Sequence, residues 1–271
     1  MFKNLSWFYL AALSLLFSGF LLNNSVRLIE LFLLIWVNLS GVFLVYRFNE
    51  CISQKYELTG NLRHYLSYKT HRIVVIQLFL IVLPLSIFYL DLNKISILTG
   101  GAFLSFLYSI QLRIGGRGFK LKNVFVLKNI LIGLVWGSLI LIGADANIDK
   151  WVYLVFIFVC IQVFIGGTIR DIPDVSSDNQ EGVNSLPVVL GANRTIFILH
   201  AINLIAGGLF IFFKLDIAGC FLFGLTTIWR FINLIMIQKD SQNSLWIQQL
   251  NLFTCVLLFL ILLFLKLYGS I

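Results

Sequence analysis

The chain has 271 residues, 59% of them hydrophobic and 12% charged. A soluble domain carries about 25% charged residues, and a chain this apolar cannot cover a water-facing surface with polar groups; a soluble enzyme is excluded and an integral membrane protein is expected. The formal net charge is +8, but the basic residues lie between apolar runs, where they suit membrane orientation, anionic headgroups and phosphates, so nucleic acid is not expected as a partner.

A membrane-spanning helix needs about 20 mostly apolar residues. Nine segments meet that demand: 5–22, 28–46, 71–90, 95–112, 122–142, 151–169, 195–213, 216–236 and 246–268. The first reads as a retained helix rather than a removable leader, since Lys3 is the one charge before it. Pro84 lies inside the third and is expected to kink it. Cys51, Cys160, Cys220 and Cys255 form no CxxC pair and suggest neither disulfide nor zinc. The expected fold is all-α, a polytopic bundle of about nine transmembrane helices, with residues 1–271 as a single domain.

Two connections are long and polar, 47–70 and 170–194. They follow the second and sixth spans and so share one face of the membrane. That face, with the span ends beside it, carries 15 Lys and Arg, Arg230 among them, against five on the other. The positive-inside rule places both loops in the cytoplasm. The expected location is a bacterial cytoplasmic membrane, with the C-terminus outside.

Of twelve acidic residues, six fall in those two loops. The denser stretch runs Arg170-Asp171-Ile172-Pro173-Asp174-Val175-Ser176-Ser177-Asp178, then Glu181 and Gly182. Asp171, Asp174 and Asp178 stand at i, i+3 and i+7, a spacing that shares one face of a helix. Three carboxylates there repel one another unless a cation lies between them, and oxygen-only ligands suit Mg²⁺. A solvated helix cap is the plainer alternative. Glu50, Ser53 and Glu57 repeat the spacing four spans earlier, which suggests two four-helix pseudo-repeats plus a ninth helix. Arg63, Arg113, Arg117, Lys120, Lys122, Lys128 and Arg170 lie on the same face, and as a group could hold phosphate.

Carboxylates with Mg²⁺ at the mouth of an apolar bundle suit the departure of a diphosphate, whose developing charge the cation and the basic residues would stabilise. If the organic half is an isoprenoid, the allylic cation left behind needs a dry cavity, and the 26 phenylalanines offer rings that tolerate cations.

The second stretch, with Gly182, Ser185-Leu186-Pro187-Val188 and Leu190-Gly191, resembles the second aspartate-rich motif of UbiA-type membrane prenyltransferases, nearest to homogentisate prenyltransferases and chlorophyll synthases. Asn49, Glu50 and Glu57 resemble that family's first motif, with Ser53 replacing its middle aspartate, and Tyr108-Ser109 with Arg113 resembles its diphosphate-contacting segment. The resemblance implies Mg²⁺-dependent transfer of a prenyl group from a polyprenyl diphosphate to a small aromatic acceptor within the lipid bilayer. It implies Asp171, Asp174 and Asp178 as catalytic metal ligands with Asn49, Glu50 and Glu57, and Arg63, Arg113, Lys128 and Arg170 as diphosphate ligands. Two other readings stand beside it: a related terpene cyclase, which quenches the cation internally, and a transporter or binder of an anionic lipid.

Overall fold

The computed structural model describes residues 5–22, 27–51, 64–109, 111–114, 117–120, 124–144, 149–180 and 182–269. The elements are α1 (Leu5–Leu21), α2 (Leu28–Cys51), α3 (Lys69–Tyr89), α4 (Leu92–Ser109), β1 (Gln111–Ile114), β2 (Arg117–Lys120), α5 (Leu127–Ala144) and α6 (Lys150–Arg170). Then follow α7 (Val175–Gln180), α8 (Leu186–Leu190), α9 (Ala192–Phe213), α10 (Ile217–Lys239) and α11 (Ser244–Leu267). Apart from the β1–β2 hairpin, which pairs Arg113 with Gly118, the described residues are helical or in short connections.

Among the described residues, seven helices are long and apolar enough to cross a membrane: α2, α3, α5, α6, α9, α10 and α11. The count of nine depends on two more, α1 with 17 residues and α4 with 18. The outward face settles the solvent. Phe88 is 82% exposed and Phe197 75%, which water would penalise and hydrocarbon does not. The chain is an integral membrane protein with an α-helical bundle fold.

Local chemistry explains several boundaries. The Asp149 carboxylate accepts from Val152 N at 2.8 Å and starts α6, and Asp216 does the same for Gly219 N at 2.7 Å at the start of α10. Pro84 cannot donate to the carbonyl one turn before it, and its ring crowds that carbonyl. α3 answers with a π turn over Leu78–Val82, directly ahead of the proline. A second π turn, Cys220–Leu225, lies inside α10 with no proline near it. Gly191, at φ 80°, supplies the positive φ that lets the chain turn from α8 into α9.

Four helices form a ring: α1 packs on α5 and α11, and α6 packs on the same two. α2 and α4 lie against one side of this ring, α9 and α10 against the other. α1 and α5 touch almost backbone to backbone where Gly19 faces Gly143, the close approach that small residues permit in membranes. The ring draws on both expected four-helix halves and on the last helix, and it encloses the site.

Candidate functional site

The aspartates do not share one helix. α6 ends at Arg170, with Asp171 as its C-terminal cap, because Pro173 cannot continue the ladder and disfavours the helical conformation before it. Residues 171–174 form a turn, and Asp178 sits in the separate helix α7. The i, i+3, i+7 face expected from spacing is replaced by a turn that carries the carboxylates around the mouth of the ring.

Asp171 is 4% exposed. Its Oδ1 accepts from Lys128 Nζ at 2.6 Å and its Oδ2 from Asn129 Nδ2 at 2.9 Å. Asn129 also donates to Thr168 Oγ1 at 3.1 Å. Lys128 and Asn129 stand in the first turn of α5, which the chain enters through Val126 at φ 65°. A β-branched residue in that conformation carries roughly 1–2 kcal/mol of strain, stored one step from the site. Lys128 Nζ also lies 4.0 Å from Asp178 Oδ2. Asp178 Oδ2 is buried and has no hydrogen-bond partner. Burial pushes the Asp178 carboxyl above its usual range; Lys128 and Ser185 oppose this, while Asp171 and Asp174 add to it. Asp174 is exposed at the mouth.

Among the described residues no three carboxylate, imidazole or thiol groups stand close enough to form a metal shell alone. The Lys128 ammonium lies between Asp171 and Asp178, 2.6 Å from the first and 4.0 Å from the second. Mg²⁺, however, usually takes one or two carboxylates and fills its shell with water and phosphate oxygens. Asp174, exposed at the mouth, and Asp178, whose Oδ2 has the Lys128 ammonium 4.0 Å away, offer two such carboxylates.

Below the mouth lies a cavity of about 300 Å³. Lys128, Arg170, Asp171 and Asp174 form its rim. The Arg170 guanidinium sits 5.0 Å from the Phe8 ring centre, and Phe8 stacks on Tyr46 at 4.1 Å. Trp7 and Trp136 complete an aromatic lining. Of the many phenylalanines, Phe8 alone lines this cavity among the described residues; tryptophan and tyrosine take the role expected of phenylalanine.

The opposite wall is polar. Arg230 of α10 is 2% exposed. Its Nε donates to Gln162 Oε1 at 3.1 Å, its Nη2 to the Gln162 carbonyl at 3.1 Å and its Nη1 to Asn251 Oδ1 at 2.7 Å. Asn251 Nδ2 in turn donates to the Gly166 carbonyl at 3.0 Å. The adjacent Gly166 and Gly167 of α6 admit both clusters. A Cβ at Gly166 would stand 3.0 Å from Asn251 Oδ1, and one at Gly167 3.2 Å from Asn129 Oδ1.

The structure thus brings together four expected site residues, Lys128, Arg170, Asp171 and Asp174, and sets Asp178 beside them. Glu57 and Arg63, like Ser53, lie outside the described residues. So do the side chains of Asn49 and Glu50, at the end of α2, and of Arg113, on β1. Sequence reasoning missed Asn129, Gln162 and Asn251, which are uncharged residues inside apolar runs. It placed Arg230 among the cytoplasmic-side charges; the structure buries it in mid-helix. Its charge within an apolar run was the available signal.

A model of the UbiA prenyltransferase family matches residues 61–254. No curated protein sequence matches the chain. Among solved structures, a digeranylgeranylglyceryl phosphate synthase is similar at TM-score 0.66 and 17% identity, covering 95% of this chain and 93% of its own. A UbiA homolog from Archaeoglobus fulgidus bound to GPP and Mg²⁺ is similar at 0.66 and 12%, covering 96% and 97%. One from Aeropyrum pernix K1, without ligand, is similar at 0.63 and 15%, covering 99% and 98%.

Proposed function

Because the chain belongs to the UbiA prenyltransferase family, we propose that it transfers a prenyl group from a polyprenyl diphosphate to a small aromatic acceptor inside the membrane, with Mg²⁺ at its carboxylate mouth. One observation carries this reading: Asp171, Asp174, Lys128 and Arg170 meet at the rim of a cavity whose upper wall is aromatic. Homologous folds hold DMAPP or GPP with Mg²⁺, which supports the same donor class here.

Mg²⁺ would neutralise the diphosphate as the C–O bond breaks. Asp174 and Asp178 would hold it, with Asn49, Glu50 and Glu57 of the first motif serving a second ion. Lys128 and Arg170 would take diphosphate oxygens, Arg170 through two N–H groups at once, and Arg63 and Arg113 would add to them. Asp171 positions Lys128 through their ion pair. The prenyl chain would run downward past Phe8, Tyr46 and Trp136, whose ring faces stabilise a developing allylic cation and whose bulk excludes water. An acceptor carbon then attacks the cation, and its proton leaves with the pyrophosphate.

Asp174→Ala and Asp178→Ala are expected to abolish Mg²⁺-dependent release of pyrophosphate from geranyl diphosphate, a loss of more than about 100-fold given the charge each would help neutralise. Full activity in both variants sinks the reading. Product analysis separates transfer from cyclisation: a hydrocarbon or terpene alcohol formed without acceptor marks a cyclase.

A further inference from the structure

The cavity below the mouth has a floor. Its lining descends from Phe8 to Leu15 on α1, from Arg170 to Val159 on α6 and from Gln248 to Leu258 on α11. At 1.5 Å of rise per residue these runs are about 10 to 16 Å deep. Leu15, Val159 and Leu258 are the deepest lining residues of their helices. Each is at most 2% exposed, and all three belong to one buried apolar cluster.

The seams of the ring are shut at this depth. One turn below Leu15, α1 lies on α5 backbone to backbone at Gly19 and Gly143. α5 and α6 meet where Gly137 faces Cys160, the residue after Val159. Phe17 of α1 and Phe259 of α11, the neighbour of Leu258, stand with ring centres 6.3 Å apart. Beside α6 and α11, α10 packs its π turn against both. Phe223 of that turn is fully buried, with its ring 4.8 Å from that of Phe158 on α6. Packing this close does not admit extra volume without strain, so the floor is a rigid stop.

A prenyl unit adds four bonds in line, about 5 Å when extended, by the geometry that spans about 3.8 Å with three backbone bonds. With the reacting carbon just under Arg170, the depth below it takes two extended units and three at most; four need about 20 Å. The volume agrees, since about 300 Å³ is the low end for a ligand pocket. We infer that Leu15, Val159 and Leu258 set the length of the donor, and that the substrate class is a prenyl diphosphate of two or three units. This inference rests on the prenyl-transfer reading and narrows it: the leucine and valine side chains at the floor select against longer chains by leaving them no room.

The test uses purified full-length protein with Mg²⁺ and quenching of its tryptophan fluorescence, since Trp7 and Trp136 line the cavity. Non-hydrolysable analogues of geranyl, farnesyl and geranylgeranyl diphosphate are titrated in turn. The wild type is expected to bind the geranyl or farnesyl analogue at least about ten-fold more tightly than the geranylgeranyl one, the least that a misfit methylene costs in a closed pocket. Leu258→Ala removes three carbons from the floor and leaves a space that the surroundings only partly refill, so the ratio should fall to about three-fold or less. Val159→Ala makes a smaller opening at the same depth and serves if the first variant fails to fold. The ratio separates a floor from general loosening, which would weaken all three analogues together and leave their order unchanged. Equal or tighter binding of the geranylgeranyl analogue by the wild type overturns the proposal, because the tail then leaves the cavity sideways. So does a folded variant that keeps the wild-type ratio. Binding of none of the analogues removes the prenyl-transfer reading and the floor with it, whereas equal binding of all three removes the floor alone.

Discussion

A methyl group at Gly167 would stand 3.2 Å from Asn129 Oδ1, so Gly167→Ala pushes the Asn129 amide away from α6. Asn129 then loses its 2.9 Å bond to Asp171, and with it the orientation of the carboxylate that holds Lys128. The expected result is a rise of about three- to ten-fold in KM for geranyl diphosphate, the worth of one hydrogen bond to a charged group, and steady-state kinetics with and without the change check it. Asp216 offers a test in pH. Burial raises its carboxyl pKa, but the hydrogen bond from Lys214, the Gly219 N–H and the Lys214 charge outweigh this and hold it below the usual range. A carboxyl depressed in the folded state contributes stability above its unfolded pKa and loses it as pH falls through the folded value. Thermal unfolding should therefore show the wild type losing its advantage over Asp216→Asn as pH drops below the ordinary carboxylate range. The pair is half exposed, so the difference is small. Neither position was legible in the sequence as a partner: Gly167 is one glycine of twenty, and its role exists because α5 crosses α6 at that point.

At the scale of elements, helices are placed by what they can bring close. Gly19 and Gly143 let α1 lie on α5 with almost no side chain between them. A β-carbon at Gly143 would collide with the α1 backbone, while one at Gly208 meets nothing within 4 Å. Gly143→Ala should destabilise the protein by about 1–3 kcal/mol through overpacking, and Gly208→Ala should not; denaturant titration in detergent compares them. The two π turns have different origins. The one at Leu78–Val82 is written in the sequence by Pro84, which must displace the helix ladder. The one at Cys220–Leu225 has no proline near it and ends directly before Thr226. Spacing also misled at the second aspartate motif, where a three-and-four rhythm suggested one helix and Pro173 made a turn.

At the scale of the whole molecule, the bundle surrounds a cavity with a charged rim, an aromatic side and a polar wall. Ligand binding to such an enclosed site draws the folded state away from unfolding. Geranyl diphosphate with Mg²⁺ is expected to raise Tm well above either alone, with a gain of about 2.7 kcal/mol at a hundredfold excess over Kd, and chelation of Mg²⁺ should cancel it. A scan in which Mg²⁺ makes no difference counts against the carboxylate mouth as its site. Composition and hydropathy by themselves determined the membrane fold, because about 20 apolar residues suffice to specify a span whatever its neighbours. The motif around Asp171 and Asp174 marked the charged rim of the cavity, since charged residues stand out in an apolar chain. Tertiary structure alone decided that Lys128 sits between Asp171 and Asp178, and that tryptophan and tyrosine line the cavity in place of most phenylalanines. It alone decided that Arg230 faces inward with Gln162 and Asn251. Each of these depends on which faces of helices far apart in the chain meet, and a residue's own neighbours in sequence carry no record of that.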